Sequence, residues 1–208
     1  MIERKQITKI CKNCDNCGLP IITCICDKVK EVNTKSRFII LSNERETFRN
    51  TNTARILKLV NPISTEIVVW KRGQKHKEIL KYLNNELYEV YLIFPTIDEY
   101  MKKRKVEYNN NNKIQVFIII DGTWNEAWKI VRKSEYLDKL PIIAIDIKKT
   151  SKFVLRRGQE EGNLCTIETA IELLRMNKEE INANIIEGYF YMFLDNYKAG
   201  ASGHKIHK

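Results

Sequence analysis

From Ser36 onward the chain alternates short, wholly apolar runs with longer stretches in which apolar residues recur every three or four positions. The apolar runs fall at 37–41, 66–70, 90–94, 116–120 and 142–147. A strand covered on one face alternates apolar and polar residues. One that is apolar throughout is covered on both faces, as in parallel sheets. Between these runs, 53–60, 75–87, 97–104 and 124–135 read as helices, and 167–177 and 180–194 as two more after the last strand. Ile167, Ala170, Ile171 and Leu174 share one face of the first of these two. Ile181, Ile185, Tyr189 and Met192 are the predicted buried face of the second. Alternation of strand and helix predicts an α/β fold, a mostly parallel sheet flanked by helices. No internal repeat is visible. The asparagine run at 109–112 reads as a surface loop.

The segment before Ser36 has a different character. Five of the six cysteines, Cys11, Cys14, Cys17, Cys24 and Cys26, crowd into this short piece, and only Cys165 is elsewhere. With no apolar leader in MIERKQITKI, disulfides are not expected and a cytoplasmic protein is. Thiolates at C-x-x-C and C-x-C spacing can converge on one Zn²⁺, because each tight turn offers two ligands to a tetrahedral centre. Cys14, Cys17, Cys24 and Cys26 are the predicted set, with Cys11 spare; the alternative is a group of unrelated reduced thiols. Four sulfurs close the coordination sphere, so the metal is structural, and in so short a segment its binding supplies folding free energy. The expected organisation is a small N-terminal four-cysteine zinc element at 1–35, a catalytic domain at 36–198 and a loose basic tail at 199–208.

Charge changes the picture modestly. Against 26 acids the 208-residue chain sets 36 lysines and arginines, a formal charge of +10. That excess favours polyanions, nucleic acid first. The chain is also rich in Asn and Ile, a codon bias that raises Lys with them, so the charge supports an RNA partner without requiring one. No apolar stretch reaches the roughly 20 residues of a membrane span. No membrane and no obligate protein partner is expected.

The stretch IIIDGTWNEAW at 118–128 carries the candidate chemistry. Thr123 and Glu126 fit a capping box, which starts a helix with Trp124, Trp128 and Val131 on one face. Asp121 then lies beyond the carboxyl end of a central strand and just before a helix, the crevice where open α/β sheets bind ligands. The alternative is that Asp121 merely caps the turn. Aromatics at helical spacing usually pack, so both tryptophans are expected in the core.

Asp121-Gly122-Thr123-Trp124 resembles the D-x-T-W signature of the DTW-domain family, transferases that install 3-amino-3-carboxypropyl groups on tRNA uridine. The likeness extends over most of the chain. Cys14–Cys26 looks like the family's zinc element, and Asn52-Thr53-Ala54-Arg55 is similar to its N-T-G-R stretch. Leu140-Pro141, Leu155-Arg156-Arg157 and Cys165-Thr166-Ile167-Glu168 resemble its later L-P, L-R-R and S-T-x-E motifs, in order. Two positions depart from the pattern. Ser42-Asn43 stands where the family usually has His-Pro, and Cys165 where Ser is usual.

The resemblance implies a SPOUT-like fold with a C-terminal trefoil knot that holds S-adenosylmethionine in a bent pose. The long, basic segment 148–165 fits a functional loop; the alternative is an ordinary surface loop. By position in the matched motifs, Thr53, Thr123, Leu140 and Thr166 are the expected cofactor-binding residues. Arg55, Arg156 and Arg157 are the expected RNA-binding set, able to clamp tRNA phosphates or the methionyl carboxylate; the alternative is solvent-exposed charge. Asp121 is the expected catalytic residue, as base toward uridine N3, as a group that orients the uracil, or as counter-charge to the sulfonium. With only three histidines, His76, His204 and His207, histidine catalysis is not expected. Two rival functions are a SPOUT-type RNA methyltransferase and a non-catalytic zinc RNA-binding module. A third is transfer of the same group to ribosomal RNA.

Overall fold

The computed structural model describes residues 5–109, 111–145 and 164–203. Among them are five parallel strands: β1 (Arg37–Ser42), β2 (Thr65–Val69), β3 (Tyr88–Ile93), β4 (Ile114–Asp121) and β5 (Ile142–Ile143). They form one sheet in the order β2-β1-β4-β3-β5, so the most apolar strand, β4, lies at its centre. Ser42 at the end of β1 is in register with Asp121 at the end of β4.

Seven α-helices among the described residues accompany the sheet: α1 (Glu44–Thr47), α2 (Thr53–Val60), α3 (Lys77–Leu83), α4 (Glu99–Arg104), α5 (Trp124–Arg132), α6 (Thr166–Met176) and α7 (Glu180–Ala201). Side chains of a strand alternate between faces, and the core divides accordingly. Phe38, Ile40, Phe117 and Ile119 face α2, α6 and α7. Ile39, Leu41, Val116 and Ile118 face α3, α4 and α5. Burial on both sides is what the continuous apolar runs require.

The topology fixes where a ligand can enter. The chain leaves β1 toward α2 on one face, and leaves β4 toward α5 on the other. Adjacent strands whose connections diverge in this way open a crevice at their carboxyl ends. Ser42 and Asp121 sit at its mouth.

Three readings of the sequence need correction. The buried face of α7 is Ala183, Ile186, Phe190 and Phe193, while Ile181 is 79% exposed and Ile185 42%. This helix is apolar almost all round, so periodicity alone does not single out the packed face. Trp124 is 47% exposed rather than in the core; Ala127, Ile130 and Val131 make the buried face of α5, and Trp128 lies half-buried at its margin. The last turn of α7 runs through Ala199 to Ala201, so the helix passes the expected start of the tail.

The cysteine segment packs against the first core. Cys17, Leu19 and Ile25 are buried with the α2, α6 and α7 residues. At Gly200 an added Cβ would lie 2.7 Å from Thr23 Oγ1 and 2.8 Å from Pro20 Cγ, so only glycine lets α7 approach this segment so closely.

Candidate active site and metal centre

Asp121 is 4% exposed, and its carboxylate is held by three donors from three separate elements. Ser42 Oγ donates to Oδ2 at 2.9 Å and Asn52 Nδ2 donates to the same oxygen at 2.8 Å. Thr166 Oγ1, on the first residue of α6, donates to Oδ1 at 2.8 Å. Asn52 is itself fixed: its Oδ1 accepts from Arg55 N at 3.1 Å as the cap of α2, and its Nδ2 also donates to Glu46 O at 3.0 Å. With Oδ1 committed to a donor, the amide can only present N–H to Asp121. A carboxylate oxygen has two lone pairs. Oδ2 has used both on these partners, and Oδ1 has used one, so among the described residues one acceptor site is left.

Beside this carboxylate is a small cavity of about 90 Å³ lined by Thr53, Ile119, Asp121, Gly122, Cys165 and Thr166, among others. Thr53 Oγ1 accepts from Ile167 N at 3.4 Å, tying α2 to α6 across the cavity. Cys165 N donates to Glu168 Oε2 at 2.9 Å and caps α6. Burial, with Glu168 nearby, pushes the Cys165 thiol well above its ordinary range, so this sulfur stays protonated and uncharged.

Of the side chains expected from the motifs, the fold therefore brings Asp121, Thr53 and Thr166 together. Thr123 and Leu140 are not among the residues lining this cavity. The backbone N and Oγ1 of Thr123 both donate to Glu126 Oε2 at 2.8 Å, which makes it an exposed cap of α5. Leu140 is buried in the core of the α3–α5 face, and its carbonyl accepts from Arg104. Arg55 points toward the cysteine segment: Nη2 donates to Thr47 O at 2.7 Å, and Gly18, at φ +79°, clears space for the guanidinium. Arg156, Arg157 and nearly all of the expected knot segment 148–165 lie outside the described residues. Sequence reasoning misses two members of the site, Ser42 and Asn52. Ser42 stands out only as a departure from the family pattern, and Asn52 only as the start of a motif before a helix.

The four cysteines Cys14, Cys17, Cys24 and Cys26 bring their sulfurs within 4.8 Å of one another. Cys14 and Cys26 are 3.6 Å apart, and Cys17 and Cys24 are 3.7 Å apart. Sulfurs about 2.3 Å from a tetrahedral metal lie about 3.8 Å from each other, so the spacing fits Zn²⁺. Burial pushes the Cys17 thiol up to about 11, and burial with neighbouring thiolate charge pushes Cys26 higher still. Cys14 moves the other way: burial raises it, but the backbone N–H groups of Cys17 and Asn16 outweigh that. Cys17 and Cys26, which resist losing their protons alone, are thiols that a dication would discharge.

The DTW domain family matches residues 11–198. Among curated proteins, tRNA-uridine aminocarboxypropyltransferase 2 of Drosophila melanogaster is 26% identical over 167 residues, 77% of this chain and 64% of that protein. The chain thus spans less than two thirds of that relative's length. No solved structure matches it. Since the matched region takes in the cysteine segment, Asp121 and most of the last helix, nearly the whole chain, the chain belongs to the DTW-domain family.

Proposed function

We propose that this chain transfers the 3-amino-3-carboxypropyl group of S-adenosyl-L-methionine to N3 of a tRNA uridine. The observation that carries the reading is Asp121, a carboxylate locked by three donors at the crevice of the sheet with, among the described residues, one acceptor site left on Oδ1. Uridine N3 attacks well only as its proton leaves, and a base within hydrogen-bond reach meets that need. N3 forms a bond to the methylene next to sulfur, the carbon–sulfur bond breaks, and methylthioadenosine departs neutral. The N3 proton goes to Asp121 Oδ1. Ser42, Asn52 and Thr166 hold the carboxylate so that its reorientation costs nothing at the moment of reaction. Thr53 and the cavity beside it are suited to part of the methionyl arm; about 90 Å³ is room for a few heavy atoms.

The finer fold belongs to the same reading. A SPOUT-like chain with a C-terminal trefoil knot is supported by the all-parallel sheet and by α6 returning beneath β4 at the crevice. The four sulfurs are suited to a structural Zn²⁺ that stiffens the segment packed on α7. Arg156 and Arg157 remain the arginines proposed for RNA, whereas Arg55 serves as a strut between α2 and the cysteine segment. Among the described residues no helix is long and apolar enough to cross a membrane. A division at about residue 35 and a cytoplasmic location accord with tRNA as substrate.

The test is incubation of purified protein with bulk tRNA and S-adenosylmethionine, followed by mass spectrometry of nucleosides and of the spent cofactor. The expected result is a uridine carrying the three-carbon amino acid, with methylthioadenosine. S-adenosylhomocysteine with a methylated base would replace the reading by a methyltransferase, and tRNA bound but unchanged would leave an RNA-binding module.

A further inference from the structure

Behind the crevice, on the α3–α5 face, an open groove of about 950 Å³ runs between α4 and α5. Its walls include Tyr100, Arg104, Asn125, Lys129, Arg132 and Lys133. Positions 125, 129, 132 and 133 follow helical spacing, so they form one stripe on α5. That stripe begins four residues after Asp121 and extends about 12 Å away from the crevice. Lys129, Arg132 and Lys133 are exposed, and among the described residues none is paired with a carboxylate. The two acids on the groove are Asp98 and Asp138. Asp98 is engaged in capping α4 through Met101 N, at 2.7 Å. Arg104 lies over the Tyr100 ring at 5.4 Å and donates to the Leu140 carbonyl, with no carboxylate partner among the described residues. Cations therefore exceed acids by four to two along the groove.

Trp128 lines the groove, and against it, outside the lining itself, stands Trp124, the half-exposed tryptophan that the core does not need. Its indole lies parallel to Phe94, centroid to centroid 5.6 Å, and edge-to-face with Trp128 at 5.9 Å. The ring is thus fixed in orientation while keeping 47% of its surface in solvent. A cationic groove that leads to a rigid, exposed aromatic ring is the arrangement that tracks single-stranded nucleic acid: charge follows the phosphates and the ring stacks a base.

Resting on the aminocarboxypropyl-transfer reading, we infer that the α4–α5 groove holds the RNA strand that leads into the Asp121 crevice. Lys129, Arg132 and Lys133 contact its phosphates, and Trp124 packs on the base beside the target uridine. A span of about 12 Å covers roughly three phosphates of a helical strand.

The test uses the full chain and bulk tRNA, with binding followed across salt and transfer followed separately. The triple variant Lys129→Gln, Arg132→Gln, Lys133→Gln is expected to bind at least tenfold more weakly near 0.1 M salt, with a salt slope shallower by about 2 to 3. The control triple Lys35→Gln, Lys113→Gln, Lys178→Gln removes equal charge from exposed lysines at the amino end of the sheet, and is expected to change affinity less than threefold. Trp124→Ala is expected to raise KM for tRNA by about 5- to 150-fold and leave KM for S-adenosylmethionine unchanged, with Trp124→Phe close to wild type. Melting curves establish that every variant is folded. A groove triple that matches the control triple overturns the inference even if the wild type transfers normally. Loss of affinity in the groove triple alone upholds it, including in a wild type that binds tRNA but transfers nothing, the result that defeats the transfer reading instead.

Discussion

On one face of the sheet, α2, α6, α7 and the cysteine segment build a thick layer that keeps water from Phe38, Phe117 and Ile119. On the other, α3, α4 and α5 cover Ile39, Leu41 and Ile118 but leave a broad groove and a half-exposed tryptophan. The Asp121 side chain lies on the thick side, because residues of a strand alternate and Ile119 points there. Under the proposed transfer reading, the contrast separates two requirements of such a site. A carboxylate that must hold one orientation needs rigid donors and exclusion of water. A surface that receives a long polyanion needs exposure and unpaired cations. On that reading the two lie on opposite sides of one strand end.

The strongest test of this division is Asp121→Asn. The replacement keeps shape but removes the proposed acceptor for the N3 proton, and transfer is expected to fall about 10²- to 10⁴-fold in kcat while tRNA affinity stays near wild type. A variant that loses binding as much as turnover would show that the two faces are not separable. Next in size is packing of the thick face. Ile186→Ala should cost about 2–5 kcal/mol in denaturant melts, whereas Ile181→Ala on the exposed side of the same helix should stay within about 0.5 kcal/mol.

Gly200→Ala comes third. Its new methyl would press on Pro20 and Thr23, and a loss of about 1–3 kcal/mol is expected by calorimetry, with turnover per folded molecule unchanged. The smallest effect lies on the thinner face. His76 is buried edge-on to Tyr136, and burial pushes its pKa below 6.5, with Glu78 partly opposing and Lys71 adding to the shift. The folded state thus favours neutral imidazole. Its contribution is present above pH 6.5 and is lost as acid first protonates the unfolded chain and then the folded one. Melting temperature should decline below that pH, and His76→Phe should flatten the decline.

Strands and their burial are legible because runs such as Val116-Phe117-Ile118-Ile119-Ile120 admit few alternatives. The helix at 53–60 is legible because Ile56, Leu57 and Val60 share a face, and Asn52 caps it. The packed face of α7 is not, since Ile181, Ile185 and Ile186 are equivalent until a neighbour is known. At the site, Asp121 can be read from its place after a strand, and Thr53 and Thr166 from motif position. Ser42 and Asn52 cannot be assigned in the same way. They lie 79 and 69 residues from Asp121 in sequence, and only pairing of β1 with β4 brings them near. Short pieces such as α1 carry too few residues for any periodicity.

Asn52 joins two tasks in one amide: its oxygen starts α2, and its nitrogen grips the Asp121 carboxylate. Fraying of that helix end would therefore disarm the site long before the sheet came apart. Heat inactivation should then follow the opening of one short turn, and a thermostable variant would have to be sought there, not in the already dense interior.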